Sequence, residues 1–152
     1  MIPGAGPFPP VSERGDSGEF PLFAIMTEHI FTYGSLMFDS VWRRVVQGIY
    51  EKSGARVFGY RRRRIHGEVY PAAIPGMCAD GVDGIVYLNV SEEDLRRLDE
   101  FEGLCYRRQV TECQLPEGNT VRASFYVFRD EYSYLIADED WDAEWFADEI
   151  GP

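Results

Sequence analysis

The chain has 152 residues, 45% of them hydrophobic and 14% aromatic, a size that suits one hydrophobic core better than two. Its formal net charge of −11 argues against general binding to nucleic acids or anionic membranes, because both need a basic surface. Three cysteines without paired spacing argue against a disulfide framework and a zinc site, so we expect a reducing, cytoplasmic location.

Residues 1–27 are predicted to form a flexible N-terminal arm, and residues 28–152 a single domain. The arm holds five of the nine prolines and shows no hydrophobic periodicity. Two hypotheses concern it: translation begins at Met26, or residues 1–25 are a dispensable extension. Its first residues, MIPGAGPFPP, lack the basic start and apolar run of a signal peptide, and we expect no membrane association.

The first half of the domain is predicted to contain two strands with a helix between them. β-branched and aromatic residues favour a strand at 29–33, and Asp39 is suited to cap a helix that runs to about residue 47. Three side chains of this helix are predicted to face inward: Trp42, Val45 and Val46. The segment ARVFGYRRRRI, residues 55–65, is typical of one strand. Its arginines at 61–64 suggest a phosphate-binding patch, but strand side chains alternate between faces, so we favour paired surface charges.

The second half is predicted to be rich in strands. DGIVYLNV is typical of a strand, and Ser91 can cap a helix over 92–101. YRRQVTECQL and RASFYVFR are predicted to pair as a hairpin through the turn PEGN. A last helix is expected in DEDWDAEWFADEI, residues 138–150, with Trp141, Trp145 and Phe146 on one stripe. Strands with few helices between them favour an α+β fold with a largely antiparallel sheet or barrel.

Glu102 stands out among the carboxylates by its direction. At helical spacing it lies on the same arc as Leu95 and Leu98, at the C-terminal end of the predicted helix and just before Gly103. Partial burial and the helix dipole are both expected to raise its pKa and make it a better proton acceptor. The alternative is structural: the side chain points outward or pairs with Arg107 or Arg108. Periodicity by itself favours that alternative, because structural ion pairs are common.

The stretch FTYGSLMFD, residues 31–39, ends a strand with glycine and serine. Gly34 and Ser35 fit an ordinary turn before a helix. They also fit a ligand site, because glycine allows close backbone approach and successive free N–H groups can bind an oxyanion or carboxylate. The four residues YGSL alone do not distinguish these interpretations.

Five segments in this order resemble the gamma-glutamylcyclotransferase-like superfamily: YGSL, GYRRRRIHGEVYPAAIPG, VDGIVYLNV, LRRLDEFEGLCYRRQVTE and ASFYVF. The similarity covers about residues 29–148. It is greatest to the small branch that includes gamma-glutamylamine cyclotransferase and the plant avirulence-induced-gene proteins. YGSL also resembles the glutathione-specific branch, but this core is shorter. The resemblance implies a small, mixed, mostly antiparallel β-barrel with flanking helices, and neither a metal nor an organic cofactor.

The resemblance also implies roles for individual residues. The backbone amides of Tyr33, Gly34, Ser35 and Leu36 are expected to bind the gamma-glutamyl group, and Glu102 to act as the catalytic acid/base. Tyr106 and Tyr126 are expected to line the cavity, as are Tyr70, Pro71 and Ala72. The implied reaction is the release of 5-oxoproline and a free amine or amino acid, with the substrate's own α-amine as nucleophile. A non-catalytic binding or interaction protein on the same scaffold is the alternative, because fold does not dictate function. We expect a small-molecule partner and a monomer.

Overall fold

Within residues 26–151, which the computed structural model describes, five strands close into a barrel and three more form a small sheet beside it. The strands are β1 (Thr27–Thr32), β2 (Lys52–Phe58), β3 (Tyr60–Ile65), β4 (Pro71–Pro75), β5 (Gly81–Ser91), β6 (Tyr106–Gln114), β7 (Thr120–Phe128) and β8 (Ile136–Asp140). The α-helices are α1 (Asp39–Val45), α2 (Glu92–Glu102) and α3 (Ala143–Ile150), and short 3-10 helices span Ser35–Met37 and Asp130–Leu135.

The barrel has the strand order β1-β5-β2-β6-β7, and the small sheet has the order β4-β3-β8. β1 and β7 run parallel where Ile30 lies opposite Ser124, while the other paired strands are antiparallel. The predicted α+β class with a mixed, mostly antiparallel barrel is confirmed. The arm prediction for residues 1–25 lies outside the described residues, and β1 already begins at Thr27.

The segment predicted as one strand over 55–65 is two strands in different sheets. Gly59 separates β2 from β3 and has a φ of +90°, a conformation that glycine adopts without the steric cost of a side chain. Its N–H donates to the carbonyl of Asp80 and its own carbonyl accepts from Gly76. The turn therefore directs β2 into the barrel and β3 into the small sheet.

The C-terminal prediction was wrong at its start, because residues 136–140 form β8 rather than helix. β8 pairs with β3, with Arg63 opposite Asp140 and Ile65 opposite Ile136. Pairing with the arginine-rich strand therefore overrides the helical periodicity of the local sequence. Helix α3 begins only at Ala143, after Asp142 as N-cap, so Trp141 precedes the helix and does not share its stripe.

Helix α1 also differs slightly from its prediction. Its N-cap is Phe38, and Asp39 is instead the first helical residue, paired with Arg43 one turn later at 3.0 Å. The helix ends at Val45. Trp42 and Val46 are buried as expected, whereas Val45 is only half-buried.

Two apolar clusters form the core. One contains the fully buried side chains of Phe31, Val57, Val86 and Phe125. The other joins α1 and α2 to the outer face of β5, where the rings of Trp42 and Tyr87 stack at 3.6 Å and 5°. Adjacent strand residues such as Val86 and Tyr87 thus serve different clusters, as the alternation of strand side chains requires.

The arginine run forms ion pairs with the acidic C-terminal strand. Arg61, Arg63 and Arg64 have carboxylate oxygens of β8 within 3.4–3.8 Å. These β8 carboxylates are largely exposed, and exposed ion pairs contribute at most about 1 kcal/mol each. The expectation of paired surface charges is confirmed for these three arginines. Arg62 has different partners.

Candidate active site

Helix α2 carries Glu102 to the edge of a cavity. Ser91 caps the helix by accepting a hydrogen bond from the N–H of Asp94 at 3.2 Å, as the sequence predicted. Leu95 and Leu98 on the buried face are 2% and 0% exposed, which fixes the rotation of the helix about its axis. Glu102 is its last residue, and Gly103 ends it with a φ of +83°.

The loop after β1 is held by four hydrogen bonds to other elements. Nη1 of Arg62 donates to the carbonyl of Tyr33 at 2.9 Å, and the Tyr87 hydroxyl donates to the carbonyl of Leu36 at 3.3 Å. The Tyr33 hydroxyl donates to the carbonyl of Tyr126 and accepts from the N–H of Ala73. These bonds anchor the two ends of the YGSL segment, Tyr33 and Leu36, to strands β3, β4, β5 and β7.

The N–H groups of Gly34, Ser35 and Leu36 make no hydrogen bond to any residue within 26–151. The carbonyls of Gly34 and Ser35, by contrast, accept bonds from Met37 and Phe38 at 3.0 Å each. The loop is thus left with spare donors, which is the property that binding an oxyanion or carboxylate needs.

Gly34 is required by its packing. A Cβ placed on Gly34 would lie 2.7 Å from both Cγ and Cδ of Pro71, well inside van der Waals contact. The sequence left two explanations for this glycine, an ordinary turn and the close approach of a ligand. The close approach in the structure is to Pro71, at the start of β4, and this strand was absent from the predicted elements.

A cavity of about 200 Å³ lies between this loop and the end of α2. It is lined by all seven predicted site residues, which are Tyr33, Gly34, Ser35, Leu36, Glu102, Tyr106 and Tyr126, and by Phe31, Thr32, Tyr70, Pro71 and Phe101. Ala72, also expected there, does not line it. Phe101 was missed, although its position next to Glu102 was a usable signal.

Glu102 has no hydrogen bond or ion pair with another residue of the described segment. Its side chain is half-buried, and burial raises the pKa of the carboxyl to about 8, with a further contribution from the negative charge of Asp99. The predicted direction of the shift is confirmed. The structural alternative of pairing with Arg108 is wrong, because Arg108 binds Asp99 through Nε at 2.9 Å and Nη2 at 3.2 Å.

The tyrosine hydroxyls of the cavity wall donate their protons to protein acceptors. Tyr106 donates to the carbonyl of Pro71 at 2.6 Å, and Tyr126 donates to Oδ1 of Asp99 at 2.7 Å. Burial raises the pKa of Tyr33, Tyr106 and Tyr126 above the usual tyrosine value. These groups therefore stay protonated at neutral pH and shape the cavity, while Glu102 remains the cavity's titratable group near that pH.

Candidate metal sites, disulfides and membrane-spanning helices are all absent from the described residues. No group of three or more His, Cys, Asp or Glu side chains in residues 26–151 could hold a metal ion. Each of Cys78, Cys105 and Cys113 is a free thiol, and Cys113 is fully buried. No helix in the described part of the chain has the length and apolar character needed to cross a bilayer.

Comparison with known proteins gives consistent matches. The family model described as "Gamma-glutamyl cyclotransferase, AIG2-like" matches residues 30–143. AIG2-like protein D of Arabidopsis thaliana is 37% identical over 90 residues, or 59% of each chain, so this chain spans about three fifths of that relative. A solution structure of another Arabidopsis thaliana protein is 26% identical, with a TM-score of 0.63 over 82% of this chain and 80% of that one. A structure named gamma-glutamyl cyclotransferase shares the fold at 17% identity, with a TM-score of 0.59 over 68% of both chains.

Proposed function

Because the chain belongs to the gamma-glutamyl cyclotransferase, AIG2-like family, we propose that it cleaves γ-glutamyl amides by cyclisation. In this reaction the α-amine of the glutamyl group attacks its own γ-carbonyl. The new C–N bond closes a five-membered lactam, the original amide C–N bond breaks, and the products are 5-oxoproline and a free amine or amino acid. No enzyme nucleophile is needed, because the substrate's own α-amine attacks. Water is not consumed either, because the proton lost by the α-ammonium goes to the leaving amine.

One observation carries the proposal: a carboxyl group without a protein partner in the described chain shares a cavity with residues 34–36, whose backbone N–H groups also have no partner there. The substrate needs both features. Its α-ammonium must lose a proton before it can attack, and its γ-carbonyl develops negative charge as the lactam closes. Glu102 is suited to the first task and the amides of residues 34–36 to the second.

The basicity of Glu102 is well matched to an amine. With a pKa of about 8 its carboxylate accepts a proton from an ammonium group at a small free-energy cost. In the empty site the acid form predominates at neutral pH. A bound ammonium favours the carboxylate, because an opposite charge within a few ångströms lowers the pKa of an acid. The same carboxyl can afterwards give the proton to the leaving amine.

The cavity volume supports an arrangement in which the cavity encloses only part of the substrate. Its volume of about 200 Å³ lies below the roughly 300–1,000 Å³ of pockets that bury a drug-sized ligand. The glutamyl group would therefore lie inside, with the leaving amine at the mouth. There Tyr70 and Phe101 are 41% and 48% exposed, and they would contact the leaving group.

A panel of γ-glutamyl amides and γ-glutamyl amino acids, analysed by mass spectrometry for 5-oxoproline, tests this proposal. We expect the full chain to release 5-oxoproline from at least one panel member and Glu102→Gln to lose at least about a hundredfold in kcat. Glu100→Gln is the matched control, because Glu100 lies on the same helix but is exposed. A wild-type protein that binds a panel member tightly without turnover would favour the non-catalytic alternative. An active Glu102→Gln variant would refute the role of Glu102.

A further inference from the structure

Arg62 differs from its neighbours in the arginine run by what it contacts. Arg61, Arg63 and Arg64 each pair with a carboxylate of β8. Nη1 of Arg62 instead donates to two backbone carbonyls, that of Tyr33 at 2.9 Å and that of Asp83 at 3.2 Å. Its guanidinium also lies 5.2 Å from the ring centroid of Trp141, a cation–π distance. Among the four arginines, Arg62 is thus the one that contacts the YGSL loop.

The contact with Tyr33 determines the direction of a peptide group. The carbonyl of Tyr33 and the N–H of Gly34 belong to the same peptide, which is trans. In a planar trans peptide these two groups point in opposite directions. Because the carbonyl points at Arg62, the N–H of Gly34 points away from Arg62.

Arg62 and the cavity differ in their positions relative to the Tyr33–Gly34 peptide. Gly34 lines the cavity, whereas Arg62 does not. Arg62 lies in a separate polar surface depression together with Tyr60, Arg61, Asp80 and Trp141. The Tyr33 carbonyl therefore points toward Arg62 and that depression. The Gly34 N–H points the opposite way, belongs to a residue that lines the cavity, and has no hydrogen-bond acceptor among the described residues.

We propose that Arg62 is a positioning residue that holds the Tyr33–Gly34 peptide so that the Gly34 N–H donates to the γ-carbonyl oxygen of the substrate. This inference rests on the proposed function and adds a residue to it. If the peptide rotated, it would turn a carbonyl oxygen toward the developing negative charge in place of a donor. Arg62 prevents the rotation, and Trp141 and the Asp83 carbonyl hold Arg62 in place.

Three variants of the full chain separate this role from a general effect on the sheet. Arg62→Leu removes the bond to Tyr33, and Arg62→Lys retains a positive charge whose N–H donors all lie on one nitrogen. Arg64→Leu is the matched control, because Arg64 lies on the same strand and also stacks on a tryptophan, Trp145 at 3.9 Å, but makes no hydrogen bond to the YGSL loop. Removal of an oxyanion donor lowers kcat roughly 10²–10³-fold. Here the donor remains but loses its orientation, so we expect a smaller loss of at least about tenfold.

The steady-state measurement is kcat and KM for 5-oxoproline release, with thermal denaturation to verify folding. We expect Arg62→Leu to lose kcat at least about tenfold with little change in KM, Arg62→Lys to lie between it and wild type, and Arg64→Leu to match wild type. An unchanged kcat in folded Arg62→Leu and Arg62→Lys overturns the proposal. An equal loss of kcat in Arg64→Leu also overturns it, as does a rise in KM of Arg62→Leu without a loss of kcat.

A second measurement does not depend on turnover. In ¹H–¹⁵N correlation spectra, added 5-oxoproline should shift the Gly34 amide resonance in wild type and Arg64→Leu, and shift it much less in Arg62→Leu. If wild type gives no product in the substrate panel yet shows these shifts, the proposed function fails while the role of Arg62 stands. If the Gly34 resonance does not respond in wild type, the role of Arg62 fails, whatever the activity.

Discussion

Replacement of Glu102 by glutamine is expected to stabilise the protein, with a gain that grows with pH. Burial raises the pKa of Glu102 from 4.5 to about 8. The folded state therefore binds the proton more tightly than the unfolded state, so ionisation of Glu102 destabilises the fold as pH rises from about 4.5 to about 8 and no further above that. Glutamine has nearly the same shape and no charge, so it removes this cost.

The size of the expected gain in stability follows from the pKa shift of Glu102. At 1.36 kcal/mol per pKa unit, the undiscounted cost is about 3 kcal/mol at pH 7 and below about 1 kcal/mol at pH 5. Because Glu102 is only half-buried, solvent screening reduces these values, and we expect Glu102→Gln to gain about 1–3 kcal/mol at pH 7. For a domain of this size that gain raises Tm by several degrees, on the order of 3–10 °C.

Urea or thermal denaturation of wild type and Glu102→Gln at about pH 5, 7 and 8.5 measures this difference. Other titrating groups are common to both proteins, so the difference isolates Glu102. Glu100→Gln should show little difference at any of these pH values, because Glu100 is exposed. A Glu102→Gln variant that is less stable than wild type at pH 7 would refute the reasoning and restore a structural ion pair. A variant that loses activity while gaining stability is the pattern of a site built for function.

The pH profile of activity, the serine and the glycine provide three more tests. If Glu102 is the base, kcat/KM should rise with pH toward about 8, the pKa of Glu102 in the free enzyme. The rise in kcat should lie at lower pH, because the bound ammonium lowers the pKa of Glu102. A flat pH profile contradicts this role. Ser35→Ala should retain most of the activity that Glu102→Gln loses, since only the backbone of Ser35 is used; the reverse ranking in the 5-oxoproline assay would indicate a covalent mechanism. Gly34→Ala should lower the free energy of unfolding measured in urea by about 1–3 kcal/mol, because the added Cβ would lie 2.7 Å from Pro71. Gly54→Ala should lower it less, because a Cβ there has no atom within 4 Å. Equal losses would show that the contact with Pro71 is not the cause.

Much of the fold could be predicted because local chemistry and tertiary packing agree. The hairpin of β6 and β7 follows from two strand-like segments and the turn PEGN, and its register runs without a break from Tyr106 opposite Phe128 to Gln114 opposite Thr120. Ser91 caps α2 because a serine hydroxyl satisfies a free N–H wherever a helix begins. The inward direction of Glu102 follows from its helical spacing to Leu95 and Leu98. These features depend on residues that are neighbours in the sequence.

The predictions failed where a distant segment decided the outcome. Residues 138–140 were predicted to begin the last helix, but they belong to β8, which pairs with β3 some 70 residues earlier in the chain. Gly59 looked like an interior strand residue, and only the two separate sheets show that it is a turn. Gly34 is necessary because of Pro71, a contact that neither residue's neighbours could indicate.

The sequence by itself therefore determined the class of fold, the helix that carries Glu102 and the loop that faces it, because propensity, capping and periodicity act over a few residues. The tertiary structure decided which side chains form ion pairs and hydrogen bonds with one another. Arg108 binds Asp99, and Glu102 has no ion pair within residues 26–151. Of the four consecutive arginines, Arg62 is the one that donates a hydrogen bond to the Tyr33 carbonyl. Long side chains reach their partners through space, so the spacing of residues along the chain does not specify which of them will meet.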